Sequence, residues 1–172
     1  QGWAFFENAG GSYPCKQVVD RLTSFYQKNK VQPYYPYPAS EKAGALMNDA
    51  YARMAAYLNA KPEEIHFGPS TTQNVYVLAH AMRPMWQAGD RIIVSCQDHE
   101  ANAGAWRRLA ETGIEVIEWH VHRQNGTLDL ESLSELMTDN TRMIAFPHCS
   151  NVIGQVNPVA QISEIAHTYG AL

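Results

Sequence analysis

From Glu64 onward, short apolar runs alternate with helix-length amphipathic stretches, and the runs end in polar turns. No other feature constrains the chain so tightly. Strands separated by helices need crossover connections, so the sheet is expected to be mostly parallel, covered on both faces and wound by right-handed crossovers. The strand-like runs are Ile65 to Phe67, Arg91 to Cys96, Ile114 to Trp119 and Arg142 to Phe146. Between them, Thr72 to Met85 carries Val75, Leu78, Ala79 and Met82 on one helical face. Glu100 to Thr112 is a helix that Gly113 closes in the left-handed conformation, and Asp129 caps a helix reaching Met137. Asn157-Pro158 opens a last helix that ends at Gly170.

Upstream, Val18, Val19, Leu22, Phe25 and Tyr26 recur at helical spacing. Val31 to Ala39 holds Pro33, Pro36 and Pro38 among Tyr34, Tyr35 and Tyr37, which reads as an extended, ordered loop. Ser40 is the expected N-cap of a second helix, with a stripe at Ala43, Leu46, Met47, Ala50, Tyr51, Met54, Ala55 and Leu58. Core packing accounts for that stripe.

With 172 residues, 45% hydrophobic and 17% charged, the chain is globular and long enough to bury a core. A net charge of −4 gives no support for nucleic-acid or anionic-membrane binding. No apolar run approaches the roughly 20 residues of a membrane span. Cys15, Cys96 and Cys149 are odd in number and lack any CxxC, which points away from disulfides and zinc ribbons and toward a reducing, cytoplasmic setting. Cys96 and Cys149 read as buried thiols beside strand ends.

Three polar motifs sit where an open parallel sheet places its ligand crevice: Gly68 to Asn74, Asp98 to Asn102, and Ser150 to Pro158. Ser70-Thr71-Thr72 lies before a helix, where backbone N–H groups and the helix dipole attract anions, although simple N-capping explains it equally well. Neither GxxxxGK[ST] nor GxGxxG occurs at these turns. His99 suits stacking on a planar ring or moving protons, and it also suits a cap; Asp98 would orient it or cap the helix. Asn151 can donate to a phenolate oxygen or hold a turn. His120-x-His122, on one strand face, would need His148 to complete a three-histidine zinc site, and spacing does not set that ligand's place. No metal is expected.

Together the motifs resemble the class V aminotransferase family of fold-type I pyridoxal-phosphate enzymes, nearest its cysteine desulfurase and selenocysteine lyase branch. Phe6 to Gly11 resembles the family's opening turn, Ile65 to Asn74 its cofactor-phosphate segment, Asp98 to Asn102 its EHHAN motif, and Ser150 to Pro158 its SNxxGxxNP motif. The resemblance implies pyridoxal 5'-phosphate held by Thr71 and Thr72 at the phosphate, stacked on by His99 and hydrogen-bonded at its phenolic oxygen by Asn151. It implies Asn8, Ala9 and Gly10 on the side of an amino-acid substrate, and a homodimer reached by the Tyr/Pro-rich loop. His99 is the expected catalytic residue. Ser70 stands in place of a usual glycine, Gly10-Gly11 in place of an alanine-rich turn and Glu100 in place of a second histidine, which suggests a divergent branch.

The expected organisation is an N-terminal segment over residues 1–30 and a partial cofactor-binding large domain over 31–172, its sheet incomplete at the C-terminus. The family's pyridinium-binding Asp, its cofactor-holding Lys and its desulfurase Cys are expected beyond Leu172. Two other possibilities stay open: a family member that has lost catalysis and serves as a scaffold, and an α/β domain for a different phosphate ligand.

Overall fold

The computed structural model describes residues 2–4, 6–7 and 9–172. It divides into two compact units, Gln1–Phe67 and Gly68–Leu172.

In the first unit, α1 (Lys16–Lys28) and α2 (Pro38–Leu58) flank the Tyr/Pro-rich loop. Pro38 occupies the first turn of α2, where a missing N–H costs nothing, so the helix starts two residues before the expected cap. Ser40 therefore lies inside the helix. It is fully buried, and its hydroxyl donates to the Gln32 carbonyl and accepts from Tyr35 N–H at 2.8 Å, stapling the loop to α2. Gly44 makes room for the Tyr34 ring, whose Cδ1 would sit 2.8 Å from any added Cβ. Tyr34 in turn donates to Asn48 Oδ1 at 2.9 Å.

The α2 stripe is only partly a core. Ala43 and Ala55 are buried, whereas Met47, Met54 and Leu58 are exposed, and no residue of α1 is buried. Ile65 to Phe67 is not a strand. It follows a single 3-10 turn, Pro62–Glu64, and has no neighbouring strand to share a ladder; Phe67 packs edge-on against Tyr51, 4.9 Å between ring centroids.

The second unit is a three-layer sandwich. Three parallel strands, β1 (Arg91–Ser95), β2 (Glu115–Trp119) and β3 (Thr141–Ala145), lie in the order β2-β1-β3. The helices are α3 (Thr71–Met82), α4 (Glu100–Arg107), α5 (Leu130–Leu136) and α6 (Val159–Thr168). Short 3-10 turns extend α3 through Arg83–Met85 and α4 through Arg108–Thr112.

Alternation along β1 sorts its side chains between two cores. Ile92 and Val94 join Ala79, Ala105 and Trp106 on one face, while Ile93 meets Trp119, Leu133 and Ile162 on the other. Each fully buried Ile or Val contributes about 1.5–3 kcal/mol of hydrophobic stabilisation, so this central strand anchors the unit. Gly113 ends the α4 extension at φ +88°, and Asp129 caps α5 by accepting Ser132 N–H at 2.8 Å. Leu172 makes two bonds to β3, donating to the Arg142 carbonyl at 2.9 Å and accepting from Ile144 N–H at 2.8 Å. That is the hydrogen-bonding pattern of a parallel neighbour.

Candidate functional site

Chain segments leaving the C-terminal ends of all three strands line an open cavity of about 470 Å³, within the size range of small-molecule sites. Its polar wall comes from Gln97, Asp98, His99, Ser150 and Asn151, and its apolar wall from Val121, Val152 and Ile153. His99 and Asn151, 52 positions apart in sequence, thus face one space.

His99 is the N-cap of α4, and its Nδ1 accepts Ala101 N–H at 3.0 Å. A nitrogen that accepts carries no proton, so the ring's N–H is on Nε2. Asp98 accepts His99 N–H at 2.7 Å and the Asn102 amide on its other oxygen, so it fixes the helix entry rather than the imidazole. Burial pushes the Asp98 carboxyl above the usual carboxylate range, against the opposing pull of the Asn102 amide and His99 N–H.

Asn151 sits in a tight turn closed by Ser150 N–H to the Gln155 carbonyl at 2.9 Å and Gly154 N–H to the Ser150 carbonyl at 3.0 Å. Ser150 is buried beneath this turn, and Gly154 takes φ +68°, which favours glycine.

Thr71 and Thr72 do not line the cavity. They form the first turn of α3, which packs beside α4. Ser70 caps that helix by accepting Gln73 N–H at 3.2 Å, leaving the N–H groups of Thr71 and Thr72 as its orphan donors. The turn is tight at Gly68, where an added Cβ would collide with the Asn74 side-chain oxygen.

The histidine trio does not assemble. Strand β2 ends at Trp119, so the alternation expected of His120 and His122 stops short of them, and His122 opens a turn reaching Thr127. Among the described residues no three His, Cys, Asp or Glu side chains converge as a metal ion requires. Cys96 and Cys149 are exposed, not buried, because β1 and β3 end before them. Cys96 lines the cavity, and its Sγ accepts Val121 N–H at 3.3 Å.

Of the residues expected on the substrate side, Asn8 lies outside the described residues. Gly10 donates its N–H to Glu7 Oε1 at 2.9 Å.

Sequence spacing did not disclose Gln97, whose side chain bridges segments far apart in the chain. Nor did it disclose the use made of Glu100, which also lines the cavity. Arg107 holds Glu100 at 2.7 Å and Glu118 at 2.6 Å, and the hydrogen-bonded Glu118 raises the guanidinium's affinity for its proton further. Gly104 permits this, since an added Cβ there would collide with Glu100 Oε1.

A parallel α/β unit with a crevice at its strand ends, lined by an imidazole and an amide, has the architecture in which open α/β sheets place ligand sites. The aminotransferase class-V family model matches residues 4–172, and the chain belongs to that family of pyridoxal-phosphate enzymes. It is 36% identical over 169 residues to an aminotransferase-like protein of Gibberella zeae, covering 95% of this chain and 42% of that protein. It is 31% identical to a cysteine desulfurase of Haloferax volcanii, covering 97% of this chain and 40% of the relative.

Among solved structures, the apo cysteine desulfurase of Thermococcus onnurineus superimposes with a TM-score of 0.88 at 25% identity, over 97% of this chain and 42% of that one. The Escherichia coli cysteine desulfurase CsdA in its S-sulfonic acid form gives a TM-score of 0.80 at 28% identity, over 95% and 42%. The chain therefore spans less than half the length of these relatives.

Proposed function

We propose that this chain is the N-terminal, cofactor-facing portion of a pyridoxal 5'-phosphate enzyme that acts on an amino acid, with cysteine desulfurase-like or class V aminotransferase-like chemistry. The observation that carries this reading is the convergence of His99 and Asn151 on one cavity at the ends of β1 and β3. The donor set suits the cofactor: orphan N–H groups and hydroxyls at the start of α3 for a phosphate, an imidazole for a ring face, an amide for a phenolic oxygen. When bound, pyridoxal phosphate supplies an electron sink for the substrate's Cα bonds.

In this reading Thr71 and Thr72 anchor the phosphate dianion by charge-assisted hydrogen bonds at the positive end of the α3 dipole. His99 lies against the ring, with Nδ1 committed to Ala101 and Nε2 left to hold or pass a proton. Asn151 orients the ring through its amide. Val121, Val152 and Ile153 offer apolar contact to the ligand. Asn8, Ala9 and Gly10 are assigned to the substrate side, and residues 31–172 to part of the cofactor-binding domain.

The lysine that holds the cofactor is assigned to a portion of the relatives' length that this chain does not span. Homodimerisation and a cytoplasmic location belong to the same proposal; no helix among the described residues is long and apolar enough to cross a membrane. An absorbance scan of the full-length protein tests the reading. A cofactor band near the visible edge that borohydride bleaches is expected, and a protein that neither carries nor takes up pyridoxal phosphate contradicts it.

A further inference from the structure

Gln97 follows β1 by two residues, and its backbone N–H is anchored to the fully buried Ser95, donating to Oγ at 3.0 Å. From there its amide reaches in two directions. Nε2 donates to the Gly126 carbonyl at 2.8 Å, in the segment after β2. Oε1 accepts Asn157 Nδ2 at 2.7 Å, in the segment after β3. The same Asn157 nitrogen donates to the Pro147 carbonyl at 2.7 Å. Asn157 is 3% exposed and its Oδ1 has no partner, so its amide is held through its donors alone.

One side chain thus ties together the segments that leave all three strands. The turn bearing Asn151 is suspended between Pro147 and Asn157, the two points this network clamps, and His99 begins two residues beyond Gln97 itself. We propose that Gln97 is a positioning residue that fixes His99 and Asn151 relative to one another at the cavity they both line; this rests on the cofactor reading above. Without Gln97 the turn keeps its own backbone bonds but loses its tie to the β1 segment, so its placement relative to His99 would have to be fixed by the ligand, and that ordering weakens binding.

The test uses full-length protein, Gln97→Met and Gln97→Glu. The methionine keeps the length and loses both bonds, whereas the glutamate keeps the acceptor for Asn157 and loses the donor to Gly126. Two quantities are read: hydrogen exchange of the Ser150, Gly154 and Asn157 amides, each bonded in the structure, and the affinity for added pyridoxal 5'-phosphate. Gln97→Met is expected to speed exchange at those amides, leave the β1 amides protected, and weaken affinity about tenfold, the worth of one or two neutral hydrogen bonds. Gln97→Glu is expected to fall between wild type and Gln97→Met in exchange, and it serves as the test if the methionine variant does not fold. Wild-type exchange in the variants, or faster exchange with wild-type affinity, overturns the positioning role. A wild-type protein that binds no pyridoxal phosphate overturns the functional reading instead.

Discussion

The Nδ1 of His99 accepts the backbone N–H of Ala101 at 3.0 Å, so the ring that faces the cavity is also the cap of α4. Structure and proposed chemistry share one side chain here, and a substitution can separate them. Asparagine is a favoured N-cap but has no ring to stack. His99→Asn in the full-length protein is expected to leave the melting temperature close to wild type. It is expected to shift the cofactor's absorbance and cut turnover by roughly 10²–10⁴, the usual effect of a positioned acid–base group. Wild-type spectrum and turnover would reduce His99 to a cap.

Thr72→Val removes a hydroxyl while preserving shape at the first turn of α3. Losing one charge-assisted bond to a phosphate costs about 1.5–3 kcal/mol. Titration of full-length protein with pyridoxal phosphate is expected to show that loss, and little loss with pyridoxal, which carries no phosphate. Equal weakening for both ligands would count against a phosphate role.

Much of the second unit was legible because its signals are local. The β-branched run of β1, Gly113 past the α4 extension and Asp129 before α5 each act within a few residues. Ile65 to Phe67 misled because a short apolar run does not say whether a partner strand exists. Ser40 misled because Pro38 started the helix earlier, and Cys96 because a strand's last residue is a matter of pairing. His99 and Asn151 were readable as motifs, but their common cavity was not. Gln97 and Asn157 meet across 60 positions, a distance at which periodicity carries no information.

Gly113 sits at φ +88°, and an added Cβ would lie 3.0 Å from Ala88 Cβ. Gly113→Ala is expected to destabilise by about 1–2 kcal/mol, the cost of a left-handed L-residue, with more added where Ala88 cannot yield. Thermal denaturation measures it. An unchanged melting temperature would mean the turn relaxes into another conformation.

Asp90 precedes β1 and binds β3 through Arg142, whose Nε and Nη2 lie 2.9 and 2.8 Å from Oδ1; its Oδ2 accepts Gln87 N–H at 2.9 Å. The Arg142 guanidinium first, then the Gln87 N–H, hold the Asp90 carboxyl below its usual range. Its ordinary value is about 3.9. A folded pKa below that contributes stability that is complete above about pH 4 and is lost as pH falls through the folded value. Asp90→Asn is expected to lose about 1–3 kcal/mol at neutral pH. The gap to wild type is expected to close in acid, as followed by urea unfolding at several pH values; a gap independent of pH would contradict the assignment.

In the proposed site, His99, Asn151 and the α3 turn together hold one cofactor. Its most direct measurement is the dissociation constant of pyridoxal 5'-phosphate for full-length His99→Asn, Asn151→Ala and Thr72→Val, with Asp90→Asn as a control at the opposite end of the sheet. Weakened binding in all three site variants, with wild-type affinity in folded Asp90→Asn, is the predicted result. Wild-type affinity in all three site variants, or an equal loss in the control, would rule out a shared cofactor site at these residues.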